Sequence, residues 1–162
     1  MKVFQSFTGV ITMIEDYWTG DQKSAGCIKL ISVDNKAGGL VNFVVMPTTY
    51  FVDHVMVKSG DTVTGFYDAN APVIYIFPPQ FQAIVMTKAD RKQNVKVDYF
   101  NSQLVSSDGT LKLNMATSTK IILENGQRFT GDPANRDLIV IYGATTRSIP
   151  AQTTPDQVIV MC

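Results

Sequence analysis

The chain has 162 residues, of which 45% are hydrophobic and 17% are charged, and its fourteen Lys and Arg residues balance fourteen Asp and Glu residues. This composition excludes an intrinsically disordered chain, because disorder requires low hydrophobicity and a large net charge. It also disfavours nucleic-acid binding, which usually needs a basic excess, whereas a net charge near zero gives copies of the chain little mutual repulsion.

Apolar and polar residues alternate along most of the chain, and the strand formers Val, Ile, Thr, Tyr and Phe dominate its apolar stretches. This pattern predicts an all-β protein, with turn sequences such as SSDG and ENGQ between strands. Only two single helical turns are indicated, one capped by Asp53 and one at Asp132–Pro133. The predicted strands form two sets, which are residues 3–14, 26–34, 40–46, 49–52, 61–67 and 81–87, then 95–106, 110–116, 119–123, 137–142 and 157–161.

The N-terminal sequence MKVFQSFTGVITMIEDYW lacks the unbroken apolar run of a signal peptide, because Gln5, Ser6 and Thr8 interrupt it. No apolar run elsewhere approaches the roughly 18 to 20 residues that span a bilayer. We therefore expect a chain made as a cytoplasmic product with no membrane partner. Its later incorporation into a surface or extracellular assembly stays open.

The two cysteines, Cys27 and Cys162, are far apart and have no His or Cys near them at metal-ligand spacing. This pattern excludes a zinc site built around them. Two unpaired thiols are expected, with Cys27 buried at the start of a strand. An intermolecular disulfide through Cys162 is the alternative, since the last residue of the chain is easily reached.

An internal repeat is visible when residues 62–86 are aligned with residues 137–161 at a constant spacing of 75. Seven of the 25 positions are identical, including Tyr67 with Tyr142 and the IVM sequence that ends both segments. Chance similarity between two β-rich stretches is the alternative. The charged sequence TKADRKQN at 87–94 separates the copies, so we predict a first β-barrel at 1–90 and a second, shorter one at 91–162.

Each copy reads as three strands, a short helical turn, a strand, a long loop and a last strand. This order resembles the OB-fold, a five-stranded Greek-key barrel with a helix between its third and fourth strands. The resemblance implies two tandem OB-like barrels from an internal duplication, with a β-sandwich as the structural alternative. The phrases TGFYDANAP and TTRSIPAQTTP resemble an uncharacterised protein family of spore-forming bacteria, which implies no particular activity.

No pattern in the sequence indicates catalysis. His54 is the only histidine, and no nucleophile elbow, phosphate loop, metal-ligand cluster or calcium loop accompanies it. Carboxylate pairs such as Glu15–Asp16 lie in predicted turns, where solvation explains them. The sequence therefore predicts a protein that is not an enzyme and needs no cofactor or metal.

The loop ANAPVIYIFPPQ at 69–80 is unusually apolar for a segment that joins two strands. The segment aligned with it, ATTRSIPAQTTP at 144–155, is polar. An extended apolar run has two faces, so one face must be covered either by the second copy or by another molecule. We predict partner-binding residues in this loop, namely Val73, Ile74, Tyr75, Ile76 and Phe77.

These patterns favour a structural or interaction protein that associates with itself or docks a protein partner through residues 71–80. A homo-oligomer or a protein complex is the expected assembly. The alternative is an OB-type binding module for single-stranded nucleic acid or oligosaccharide. Its predicted ligand-binding residues are Tyr67, Tyr75, Lys88, Arg91 and Lys92.

Overall fold

The computed structural model describes all 162 residues and confirms the all-β prediction. Helical structure is limited to two single 3-10 turns, Gln22–Ser24 and Val52–His54. The chain divides into two compact units, Met1–Ala89 (unit 1) and Asp90–Cys162 (unit 2). The strands are β1 Phe4–Asp16, β2 Lys29–Asp34, β3 Leu40–Val45, β4 Tyr50–Phe51, β5 Thr62–Asp68, β6 Gln80–Gln82, β7 Val85–Lys88, β8 Asn94–Phe100, β9 Leu111–Leu113, β10 Lys120–Leu123, β11 Arg136–Tyr142, β12 Ala151–Thr153 and β13 Gln157–Met161.

In unit 1 the long strand β1 pairs with two neighbouring strands. Its first half pairs antiparallel with β5, and from Val10 onwards it pairs antiparallel with β2, which in turn pairs with β3. Gly9 lies where the partners change. A Cβ atom there would come within 2.5 Å of the Asp34 carbonyl oxygen, so the close passage of the two chains requires glycine.

The last two strands of unit 1 link both ends of its sheet. β6 pairs in parallel with β3, and β7 pairs antiparallel with β5. Between them, the Ala83 N–H donates to the Val44 carbonyl and the Ile84 N–H donates to the Phe66 carbonyl. The pairings therefore run β1, β2, β3, β6–β7, β5 and back to β1, which encloses a core of Ile11, Ile31, Val33, Val41, Phe43, Val45, Val63, Ala83 and Met86.

Unit 2 repeats this order of pairings. β8 pairs antiparallel with β11, β11 with β13, and β12 runs parallel to β9, while β10 runs parallel to β13 as β4 does to β7. The counterpart of β2 is reduced to two isolated bridges, Phe100 with Ser106 and Val105 with Lys112. The core contains Phe100, Leu111, Leu113, Leu138, Val140, Val158 and Val160.

Two sets of hydrogen bonds show which residues of the units correspond. The hydroxyl of Thr49 donates to the Ala83 carbonyl and that of Thr119 to the Pro155 carbonyl, both at 2.8 Å. The Ile84 N–H donates to Phe66 at 2.8 Å, as the Asp156 N–H donates to Ile141 at 2.9 Å. The spacing of 75 holds for β5 and β11 but falls to 72 in the last strands, so the aligned IVM sequences do not occupy corresponding positions.

Several local predictions are wrong for identifiable reasons. The strand predicted at 95–106 ends at Phe100, because the Asn101 side chain accepts hydrogen bonds from the N–H groups of Gln103 and Val105 and turns the chain. No helical turn forms at Asp132, whose carboxylate accepts from the Ala134 N–H in a tight turn.

Cys27 was expected to be buried at the start of a strand, and this prediction is also wrong. The 3-10 turn Gln22–Ser24 and the residues after it delay β2 until Lys29. Cys27 therefore lies in the preceding loop and is exposed, with its thiol 3.8 Å from the Lys23 carbonyl oxygen. Cys162 is exposed as well.

Candidate functional site

The segment between β5 and β6, residues 69–79, is named here the apolar loop. Its five central side chains are all exposed, and Tyr75 is completely so. Phe77 is 79% exposed and Ile74 is 66% exposed, while Val73 and Ile76 keep about half of their surface in solvent. Unit 1 therefore presents these predicted partner-binding residues without burying them in its own core.

Hydrogen bonds fix the two ends of the apolar loop rather than its middle. At its start, Asp68 accepts from the N–H groups of Val3 and Asn70 through one carboxylate oxygen, at 3.0 and 2.9 Å. At its end, the Pro79 carbonyl accepts from the Asn42 N–H. Within residues 73–77 the only backbone hydrogen bond is a tight turn in which the Ile76 N–H donates to the Ile74 carbonyl. The side chains of these residues are left exposed to solvent.

A groove of about 440 Å³ lies at the base of this loop. Tyr67 and Phe81 form its aromatic floor, with their rings stacked 3.9 Å apart and only 7° from parallel. Burial raises the pKa of the Tyr67 hydroxyl. The other lining residues are Lys2, Asp68, Ala71, Pro72, Val73, Gln80, Gln82 and Ile84.

The corresponding segment of unit 2, residues 143–150, is named here the polar loop. It is shorter, since Pro150 follows Tyr142 by 8 positions whereas Pro78 follows Tyr67 by 11. Each of these prolines is preceded by a cis peptide bond and an exposed apolar residue, Phe77 or Ile149. Ile149 is 96% exposed. The polar loop thus also ends in one exposed apolar side chain, which the alignment at a spacing of 75 had not revealed.

Side-chain hydrogen bonds hold the polar loop in shape. Thr146 bonds to the Ser148 hydroxyl at 2.7 Å and accepts from the Gln152 N–H at 2.9 Å. Ser148 also donates to the Pro150 carbonyl at 2.8 Å. Thr153, which occupies the position of Phe81, donates to the Ala144 carbonyl, so unit 2 has no aromatic stack under its loop.

Within unit 1, the structure places the alternative ligand-binding residues at different points. Tyr67 lies in the groove and Tyr75 on the apolar loop. Lys88 pairs with Val63 at the far end of β5, roughly 13 Å from Tyr67 at about 3.3 Å per residue. Arg91 and Lys92 belong to the turn of unit 2 that precedes β8.

Sequence reasoning missed the groove itself. Phe81 begins the strand predicted at 81–87, but only the register between β6 and its neighbours shows that it stacks on Tyr67. Ile149 was missed because a mismatched alignment paired it with Ile74. The position of the proline after each exposed residue is the signal that identifies the correct pair.

A second polar cluster lies in unit 2 around Asp108. Burial opposes ionisation of this carboxylate, but hydrogen bonds from Lys96, Ser106 and Thr110 outweigh it and hold the pKa of Asp108 well below its usual range. The Lys96 ammonium is 2.6 Å from the carboxylate. Nearby, Asp98 accepts from the Ser107 hydroxyl at 2.6 Å. These bonds fix the turn between β8 and β9.

His54 packs edge-on against the Tyr50 ring at 5.6 Å. No group of three or more His, Cys, Asp and Glu side chains is arranged to hold a metal ion. None of the helices has the length and apolar character needed to cross a membrane. The chain matches no protein-family model, and a comparison with curated proteins finds no significant relative.

Proposed function

We propose that this chain is a non-enzymatic structural protein that associates with copies of itself through the apolar loop. The single observation that carries this proposal is the exposure of five consecutive large apolar side chains, Val73 to Phe77, on a loop of unit 1. Contiguous exposed apolar surface of this kind marks interaction sites in folded proteins. A partner that covers two or three of these side chains gains several kcal/mol, at roughly 1.5 to 3 kcal/mol each.

Charge supports association between identical copies. The chain carries no net charge at neutral pH, so two copies approach without the repulsion that keeps strongly charged domains apart. The chain has no charged residue between Asp68 and Lys88, and this stretch includes the whole apolar loop. A second copy therefore meets this loop without repulsion between like net charges.

We infer that both units are OB-like barrels derived from an internal duplication. The two units share their order of pairings, above all the two parallel pairs β3–β6 and β9–β12, and they share the matched threonines Thr49 and Thr119. The unit 2 barrel is the more open, because its second strand is reduced to isolated bridges.

A second function is supported by the groove. Tyr67 and Phe81 line this groove, and OB-type modules hold bases or sugars against aromatic side chains. An uncharged oligosaccharide fits better than nucleic acid, because Lys88 lies at the opposite end of β5 from Tyr67 and the groove lining carries one Lys and one Asp.

Light scattering on a size-exclusion column tests the leading proposal. Over a wide range of protein concentration, the native chain should exceed its monomer mass of 17.8 kDa, and Tyr75→Asp with Phe77→Asp should return it to that mass. Met56→Asp is the matched control, since Met56 is 92% exposed and lies outside the apolar loop. A native chain that stays monomeric at every concentration contradicts the proposal.

A further inference from the structure

The groove of unit 1 and the polar loop of unit 2 have complementary features. The groove offers an aromatic floor and a volume of about 440 Å³, near the lower end of the roughly 300 to 1,000 Å³ found for ligand pockets. That volume accepts a single branched side chain with its neighbours rather than a strand or helix. Ile149 is such a side chain and is 96% exposed on unit 2.

The polar loop presents Ile149 in a fixed geometry. The hydrogen bonds of Thr146 and Ser148 close the loop on both sides of this residue. A ligand segment that is already ordered loses less conformational entropy on binding, which raises its affinity. The apolar loop has no comparable network around Phe77, so Ile149 is the better-prepared element for insertion.

Charge complementarity points to the same pairing. Arg147 is exposed two residues before Ile149 and forms no ion pair within the chain. Asp68 lines the groove, and both of its hydrogen bonds with backbone N–H groups use one oxygen, Oδ1. Its Oδ2 is left to accept from a guanidinium group. Lys2 lines the same groove, so Asp68 supplies the only negative side chain there.

We propose that the polar loop of one copy docks into the groove of a second copy, with Ile149 over the rings of Tyr67 and Phe81 and Arg147 beside Asp68. This inference rests on the self-association proposed above and specifies its geometry. Ala71, Pro72 and Val73 belong both to the apolar loop and to the groove lining, so the docked polar loop lies against the apolar loop. The contact joins different surfaces of the two copies, so it is heterologous. The copy that inserts its polar loop keeps a free groove, and the copy that receives it keeps a free polar loop. Repetition of the contact produces chains or closed rings.

Complementation between two variants tests this geometry. Ile149→Asp removes the inserted side chain, and Ala71→Arg fills the groove from an exposed position. Each variant alone should be monomeric. An equimolar mixture should form a dimer of twice 17.8 kDa and nothing larger, because only one intact groove and one intact polar loop remain to meet. Met56→Asp, which changes an exposed residue outside both the groove and the polar loop, should associate as the native chain does.

The outcomes separate this inference from the broader proposal. If Ile149→Asp associates as the native chain does while Tyr75→Asp and Phe77→Asp do not, self-association stands and the docking geometry is wrong. A mixture of the two variants that remains monomeric also overturns the geometry. If the native chain is monomeric throughout, both proposals fail.

The charge pair provides an independent readout. Arg147→Asp should weaken association, because it sets two carboxylates against each other across the contact between copies, whereas Arg147→Lys should largely keep it. Equal association of the Arg147→Asp and native chains overturns the placement of Arg147 beside Asp68.

Discussion

The two loops that follow Tyr67 and Tyr142 occupy the same place in the order of strands, but they differ in their hydrogen bonds and in the apolar surface that they expose. In the polar loop the hydroxyls of Thr146 and Ser148 form hydrogen bonds within the loop, and one apolar side chain, Ile149, is exposed. The apolar loop exposes five and stands beside an aromatic groove. The same order of strand pairings therefore accommodates two different loop surfaces at this position, because pairings with other strands hold the strands that flank each loop.

The cores of the units differ in a compensating way. In unit 1 the ring of Phe43 lies against Gly65, where a Cβ atom would come within 2.5 Å of the ring. In unit 2 the corresponding residues are Leu113 and Val140, so a smaller side chain on one strand accompanies a larger one on the other. Each pair fills a similar space in its core, so replacing only one residue of a pair by its counterpart from the other unit should be destabilising.

The largest effect is expected from placing the unit 2 residue in unit 1. Gly65→Val should destabilise unit 1 by about 2 to 3 kcal/mol, because the added side chain collides with the Phe43 ring. The urea concentration at the unfolding midpoint measures this loss. Adding Phe43→Leu should recover most of it. If Gly65→Val alone is tolerated, or if the double variant is no better, the paired exchange is not what relates the cores.

A smaller effect is expected at the matched threonines. Thr119 is 8% exposed, and its hydroxyl satisfies the Pro155 carbonyl and the Ala116 N–H. Thr119→Ala should cost about 1 to 2 kcal/mol, since a buried acceptor loses its partner. Thr49→Ala should cost less because Thr49 is only partly buried.

Thr→Ser at both positions is the control for this comparison, since serine keeps the hydroxyl. Urea unfolding of the four variants gives the order. Equal losses at the two threonines would show that burial does not distinguish the two hydrogen bonds.

The smallest effect belongs to the Asp108 cluster, which has no counterpart in unit 1. The pKa of Asp108 is lower in the folded chain than its ordinary value of 3.8, so the carboxylate stabilises unit 2 above that pH and less as pH falls below it. Asp108→Asn should lower the melting temperature at neutral pH. The loss in free energy of unfolding should be at most about 1 kcal/mol, because the ion pair between Asp108 and Lys96 is partly exposed.

Melting curves across pH check this assignment. The difference between native and Asp108→Asn chains should be constant above pH 5 and shrink as the pH falls through 3.8. A difference that does not change with pH would mean that the charge of Asp108 does not stabilise the fold.

The strands were largely predictable because alternation reports which face of a strand is buried. β12 was missed, since its sequence AQT has no apolar alternation and is held by pairing with the distant strand β9. The end of β8 was missed because one side chain, Asn101, turns the chain. Exposure of the apolar loop followed from its proline-bounded position, whereas the groove depends on a register that the sequence does not encode locally.

Replacement of the apolar loop by the polar-loop sequence tests the central claim most directly. Residues 69–77 of unit 1 are replaced by the unit 2 sequence ATTRSI, residues 144–149, which joins at Pro78 as it does at Pro150. Light scattering over a range of concentration should show the native chain above 17.8 kDa and the exchanged chain at that mass. An exchanged chain that associates as strongly as the native one would contradict the assignment of the apolar loop as the contact surface.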